Sequence, residues 1–345
     1  MTPALEAAFF DRLRREGPLP FSAFMEAALY DPVGGFYSAG GQAGRRRGDF
    51  LTSPEVGPLF GAVLARAIDS WWVELGRPDP FAVVDAGAGP GTLARAVLAA
   101  RPAALEADAL RYVAVERSSS QRDDHAGLVI ESMPTLPEAP IVGVILANEL
   151  LDNLPFRLAV FAGGWQEAFV DLGAGGRLVE VLRPFVAVPG CLPAEAAHGA
   201  RAPVQEEAAA WVADALSRLH AGRLVVVDYT RTTAEMAARP WREWLRTYRA
   251  HERGAHYLAD PGLQDITGDV ALDQLPTPAT VATQADFLRA HGLDDLVAEG
   301  RRLWAEKAAA PDLAALRARS RVREAESLCD PSGLGGFTVA EWVVA

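Results

Sequence analysis

The chain has 345 residues, 50% of them hydrophobic and 23% charged. That allows one large or two modest domains with a sizeable core, and it excludes disorder, collagen and coiled coil as descriptions of the whole. Lys+Arg number 33 against 45 Asp+Glu, a net charge of −12, which argues against general nucleic-acid binding and against adsorption to anionic lipid.

Residues 3–30 read as helices, with Pro20 and Ser22 opening the apolar run Phe21–Tyr30. Residues 31–50 lose periodicity, and Gly34-Gly35, Gly40-Gly41 and Arg45-Arg46-Arg47-Gly48 mark a long loop. Helix resumes at Ser53-Pro54-Glu55, with Ser53 as expected N-cap, and runs to about Leu75. Phe81–Asp85, Leu110–Glu116, Ile141–Ala147 and Arg223–Tyr229 are short, apolar and rich in β-branched residues, so they predict buried strands separated by helical runs. Such alternation predicts an α/β fold with a mostly parallel sheet covered on both faces. Phe156–Phe161, Glu167–Leu172 and Leu178–Leu182, joined by Gly163-Gly164 and Gly175-Gly176, predict an antiparallel insertion. Residues 250–275 look irregular and charged, and Gly335–Val344 reads as a closing strand. The expected domains are a helical extension over 1–75 and a core over 76–345, with insertions near 156–183 and 250–275.

Lys307 is the sole lysine, and the arginine and alanine bias reads as genome composition. Cys191 and Cys329 lie far apart without a CxxC, so neither a disulfide framework nor a thiolate zinc site is expected. His251 and His256, with Asp260 and Asp265, have no recognised zinc spacing, and no metal is expected. Met1–Phe10 has no basic start before an apolar core, and no window of about 18 apolar residues occurs. The expectation is a cytoplasmic protein without membrane insertion.

The strongest local signal is Val84-Asp85-Ala86-Gly87-Ala88-Gly89-Pro90-Gly91-Thr92, between a strand and a helix. In an open α/β sheet, ligands bind outside the carboxyl ends of the strands, where this loop stands. A nicotinamide dinucleotide fingerprint reads G-x-G-x-x-G; here the third glycine comes one residue early. A carboxylate at Asp85 would repel a pyrophosphate and suit the ammonium of S-adenosylmethionine (SAM). Glu116, ending the next strand, is placed to accept from both ribose hydroxyls. Asp85, Gly87, Gly89, Gly91 and Glu116 therefore point to SAM rather than to a nicotinamide oxidoreductase. The bland alternative is a glycine turn without a ligand.

Four stretches carry a resemblance: Phe24–Tyr37, Gly48–Glu55, the glycine loop, and Ala147-Asn148-Glu149-Leu150-Leu151-Asp152-Asn153-Leu154-Pro155. Together they resemble the MidA-type SAM-dependent methyltransferases, which include the mitochondrial complex I assembly arginine methyltransferase. The resemblance implies a class I methyltransferase (Rossmann-like) fold with a helical N-terminal extension. It implies methyl transfer to a protein arginine, with a respiratory complex I subunit or bacterial counterpart as a possible acceptor. It also raises Asp49, Thr52 and Asn148 as cofactor-side residues. Where the family carries a histidine and then an acid after its Asp-Ile/Leu-Thr triplet, this chain has Asp269 and Ala271.

Glu149 and Asp152 follow a buried strand and are three apart, so they share a face if the segment is helical. Carboxylates can grip a guanidinium bidentately, and arginine stays protonated; orienting one nitrogen toward the methyl is then a positioning task. A capped helix start with solvated acids is the other reading. Ser53 and Glu55 read equally as capping or as anion-holding residues. Glu131-Ser132-Met133, after the apolar run Leu128–Ile130, reads as an adenine contact or a surface loop. The loop before Gly48 and the segment around Asp265 are expected to cover the site. A second function is open: a SAM-binding assembly factor or chaperone for a respiratory complex, with little turnover.

Overall fold

The computed structural model describes residues 3–38, 52–128, 130–138, 140–249 and 252–345. The chain packs into two compact units. The first holds residues 1–50, 150–214 and 229–277; the second holds 51–149, 215–228 and 278–345. These boundaries differ from a division at residue 75. The helix Pro58–Glu74 belongs with the glycine loop, and both insertions belong with the first 50 residues.

The second unit is built on a seven-stranded mixed sheet. Its strands are β1 Phe81–Ala86, β2 Leu110–Val115, β3 Glu131–Met133, β4 Ile141–Asn148, β5 Leu219–Asp228, β6 Thr280–Thr283 and β7 Thr338–Val344. The order across the sheet is β6-β7-β5-β4-β1-β2-β3. Pairs β1–β2, β1–β4, β2–β3 and β4–β5 are parallel, whereas β7 runs antiparallel to both β5 and β6. β1 is flanked by β2 on one side and β4 on the other, so the connections leave it in opposite directions, and that reversal marks the ligand crevice of open α/β sheets.

The central strands are continuous apolar runs because both faces are covered: Val83, Val84, Val144 and Ile145 are fully buried. Gly143 and Gly222 are placed where a Cβ would meet the neighbouring backbone, 2.0 Å from Ala82 O and 1.8 Å from Gly143 O respectively. Trp71 and Trp72 of Pro58–Glu74 are buried. That helix starts beside Glu324 of Leu313–Leu328, whose Oε2 accepts from Leu59 N at 2.9 Å. A Cβ at Gly57 would stand 2.4 Å from Glu324 Cδ, so a larger residue there would have to displace the carboxylate that caps Leu59 N.

The first unit has a core where Phe9, Leu13, Phe21, Phe24 and Met25 of the N-terminal helices, Pro3–Glu16 and Phe21–Tyr30, meet Phe156, Leu158, Val160 and Trp244. The antiparallel insertion is present as Arg157–Phe161, Trp165–Leu172 and Leu178–Pro184. Its apolar face needs cover, and the N-terminal helices supply it. Arg201–Val204 and Leu19–Pro20 extend the same sheet.

Several sequence expectations are corrected. Thr52, not Ser53, is the N-cap of Ser53–Val56; the Ser53 hydroxyl is buried and donates to Gln284 Oε1 at 2.8 Å. Glu131–Met133, read as an adenine contact or a surface loop, is itself a strand of the sheet. The 250–275 region holds ordered strands: Leu245–Arg249 pairs with Glu252–Arg253 and with Asp265–Gly268. Asp265 is wholly buried within that small sheet, so its segment is core rather than a covering loop. Most of the loop before Gly48, and Asp49 and His251, lie outside the described residues. No helix among the described residues is long and apolar enough to cross a membrane.

Candidate functional site

In the second unit the ends of β1, β2 and β4 are in register, Ala86 opposite Val115 and Ala147. The glycine loop, Glu116 and Asn148-Glu149 therefore leave the same carboxyl edge of the sheet. Gly87, Gly89 and Gly91 have φ of 73°, 54° and 81°, a left-handed conformation that glycine adopts without a Cβ penalty. Gly91 then leads into the helix Thr92–Ala100.

The loop has no N–H to spare. Gly87 N and Ala88 N donate to Val115 O at 2.9 and 3.0 Å, and Gly91 N to Ala88 O at 2.9 Å. Gly89 N donates to Glu116 Oε2 at 3.0 Å, and Pro90 has no N–H. A pyrophosphate cradle needs such donors free. Glu116 also accepts from Ser118 N at 2.7 Å, and burial pushes its carboxyl above the ordinary range against the pull of those N–H groups. The loop thus carries a carboxylate where a dinucleotide site would present bare amides.

Asp85 behaves differently from the sequence expectation. Its side chain is 3% exposed, and its Oδ2 accepts from the Tyr112 hydroxyl at 3.0 Å. Burial raises its pKa to about 7, with the Tyr112 bond opposing the rise. The carboxylate points into the protein, so the argument against pyrophosphate rests on Glu116 and the occupied N–H groups. This gives a prediction with a definite sign. An acid whose pKa is raised on folding binds protons more tightly in the folded state, so its contribution to stability falls as pH rises from about 4, the ordinary carboxylate value, toward about 7. Asp85→Asn should therefore gain stability relative to the parent between pH 5 and pH 8, read as the difference between urea midpoints at the two pH values. A constant difference would show that Asp85 titrates normally.

Three neighbours carried no sequence signal. His125 is 4% exposed; its Nε2 lies 2.8 Å from Gly89 O and its Nδ1 2.8 Å from Ser132 Oγ. A carbonyl only accepts, so Nε2 holds the hydrogen, and in the neutral ring Nδ1 accepts from the serine. His125 thereby ties the loop to β3. Gln121 is buried beneath the loop, and Tyr112 holds Asp85. His125→Leu takes the partner from the half-buried Gly89 carbonyl and leaves the exposed Ser132 hydroxyl to solvent, at a cost of about 1 kcal/mol. Urea unfolding of the variant should show that loss, with weaker SAM binding; an unchanged midpoint would mean the loop holds its shape without the brace.

On the acceptor side, Asn148 ends β4, and Glu149 N donates to Val227 O at 2.8 Å. Glu149 has φ of 51°, so it is not helical; the 3₁₀ turn begins at Leu151. Glu149 and Asp152 consequently do not share a helix face, and they fall in different units. Glu149 is half-buried, and its Oε1 accepts from Asn148 Nδ2 at 3.1 Å. Asn148 Oδ1 is buried and accepts from no described residue, an acceptor left over at this edge. Thr52 is buried, and Ser53 N lies 3.4 Å from Glu149 Oε1, a long contact.

In the first unit Asp152 is 1% exposed and accepts from the Thr267 hydroxyl. It belongs to a buried polar cluster. Asp265 Oδ1 lies 3.1 Å from the Tyr37 hydroxyl and accepts from Asn153 Nδ2 at 3.2 Å. Asp269 pairs with Arg231 at 2.7 Å and with Arg246 at 2.6 Å. Burial raises Asp152 to about 6 and Asp265 to about 7. Arg246, Tyr37 and Thr267 were missed by the sequence reading; Tyr37 lay inside a quoted stretch without a role. Asp269, a departure from the family pattern, is an ion-pair partner here.

The residues fit SAM: positive-φ glycines and a carboxylate at the end of β2 serve a ligand with hydroxyls and an ammonium and no phosphate. The comparisons agree. Residues 63–292 match the model of a family described as "Putative S-adenosyl-L-methionine-dependent methyltransferase". A Burkholderia thailandensis protein crystallised with S-adenosyl-homocysteine superposes with a TM-score of 0.81 at 28% identity, over 99% of this chain and 92% of that one. The mitochondrial protein arginine methyltransferase NDUFAF7 of Mus musculus is 26% identical over 85% of this chain and 75% of its own length. The Drosophila melanogaster NDUFAF7 homolog is 26% identical over 74% of this chain, which spans only 65% of that relative. The α/β fold is that of these methyltransferases, SAM is the cofactor, and the chain belongs to the MidA-type family of SAM-dependent methyltransferases.

Proposed function

We propose that this protein methylates an arginine side chain of a protein substrate. The observation that carries the reading is the exit of Glu149 from β4 beside the glycine loop of β1, which sets a carboxylate at the edge where the cofactor binds. The relatives named protein arginine methyltransferases support the choice of acceptor. SAM supplies an electrophilic methyl on a sulfonium. Gly87, Gly89, Gly91 and Glu116 hold it, with Asn148 and Thr52 at the same edge and Asp85 shaping the loop from beneath; Asp49 is assigned with them by family likeness.

Glu149 orients the guanidinium by charge-assisted hydrogen bonding. Asp152, buried on Thr267, acts as a positioning residue that keeps the turn after Glu149 in place. Protein acceptors of the respiratory complex I class, or their bacterial counterparts, are the first to test. Incubation with methyl-labelled SAM and a cell lysate, followed by acid hydrolysis, should place the label in methylarginine. Label in methyl-lysine or in small molecules alone would overturn the reading.

A further inference from the structure

In the first unit a cavity of about 270 Å³ is lined by three arginines, Arg242, Arg246 and Arg253, and by the rings of Trp241, His256 and Tyr257. Among the described residues its lining contains no carboxylate. In a chain of net charge −12 that is an unexpected concentration of positive charge.

The walls are fixed. Tyr257 is 1% exposed and its hydroxyl donates to Glu180, which pairs with Arg201 at 2.7 Å. The Arg242 and Arg201 guanidiniums lie 5.0 and 5.3 Å from the Trp241 ring centre. Gly254 N donates to Thr247 O at 2.8 Å, and Thr247 Oγ1 to Ala255 O at 2.6 Å. A Cβ at Gly254 would come within 2.6 Å of Gln264 Oε1, so the wall there admits only glycine without a shift.

The arginines have spare donors. Arg253 Nη1 donates to Arg242 O at 2.9 Å, yet among the described residues neither Arg242 nor Arg253 meets a carboxylate. Arg246 has a side chain only 9% exposed and a buried Nε without a hydrogen-bond partner. Arg246 therefore backs the cavity, and Arg242 and Arg253, both exposed, are the guanidiniums that an entering oxyanion would meet. Arg246 also pairs with Asp269 of the acid cluster, so the cavity and that cluster share one cation.

We propose that this cavity is an oxyanion site that receives the carboxylate of an aspartate or glutamate in the polypeptide substrate. The volume lies at the lower end of the roughly 300–1,000 Å³ of drug-sized ligand pockets and has room for a side-chain head group. Planar guanidinium forks match a carboxylate bidentately, and such a site favours a substrate that carries an acidic residue. The proposal rests on the protein-substrate reading above.

The test is fluorescence anisotropy of the full chain, without SAM, using labelled peptides that carry one arginine and one glutamate at varied spacings, each beside its glutamine counterpart. At the favoured spacing the glutamate peptide should bind at least about tenfold tighter, a preference that declines with salt. Arg242→Gln/Arg253→Gln, two exposed positions, should lose that preference with an unchanged melting temperature. Equal binding of glutamate and glutamine peptides at every spacing overturns the proposal, as does a preference that survives the double substitution. Inorganic phosphate that displaces the glutamate peptide supports the site; phosphate bound without any peptide discrimination assigns it to a free oxyanion and overturns the polypeptide assignment. No methyl transfer is scored here, so failure of this proposal and failure of arginine methylation are read separately.

Discussion

Gly89→Val should abolish SAM binding. Gly89 has φ of 54°, where an L-residue pays about 1–2 kcal/mol and a β-branched one more. An added Cβ would already stand 3.3 Å from Gln121 Oε1, and the valine methyls extend further. The peptide cannot relax freely, because Gly89 N is bonded to Glu116 and Gly89 O to His125. Relief of strain must break one of these, and each shapes the cofactor edge. Calorimetry with S-adenosyl-homocysteine should show saturation for the parent and a loss of at least about 100-fold in affinity for the variant, close to 2.7 kcal/mol. Gly89→Ala, without the branch, should fall between. Circular dichroism melts establish that both fold. Normal affinity in a folded Gly89→Val would mean the loop is not the cofactor site.

Glu149→Gln should keep cofactor binding and lose methyl transfer. The substitution preserves shape and the Oε1 that accepts from Asn148. The backbone stays in place through Glu149 N on Val227 O at 2.8 Å, which no side-chain change touches. What disappears is charge. A hydrogen bond to a charged group contributes about 1.5–3 kcal/mol, so kcat/KM should drop roughly 10- to 150-fold, while affinity for S-adenosyl-homocysteine moves less than about threefold. Unchanged transfer would remove Glu149 from the acceptor side. A protein that binds SAM for assembly with no turnover would show no transfer before the substitution, and its partner function would survive it.

The glycine loop was legible because its signal is local: an apolar strand, three glycines at alternate positions and a helix start lie within twenty residues. The strands of the second unit were legible for the same reason, since a centrally buried strand needs a continuous apolar run. The strand Asp265–Gly268 was not, because it is only four residues long and is buried throughout in spite of its polar residues, which are satisfied by Tyr37, Asn153 and Asp152, each more than 100 residues away in sequence. The left-handed Glu149 defeated a spacing rule that holds only inside a helix.

From its residues alone this chain declares a sheet, a glycine turn at a strand end and two acids after a later strand. Those are matters of near-neighbour spacing and apolar periodicity. Folding decided where each carboxylate points: Asp85 inward to Tyr112, Asp152 onto Thr267, Glu116 onto the loop amides, Glu149 half-open at the sheet edge. A side chain's charge is written in the sequence, but its burial and partner depend on segments brought together from far along the chain. The same reason gathers Arg242, Arg246 and Arg253 around one cavity within an acidic protein.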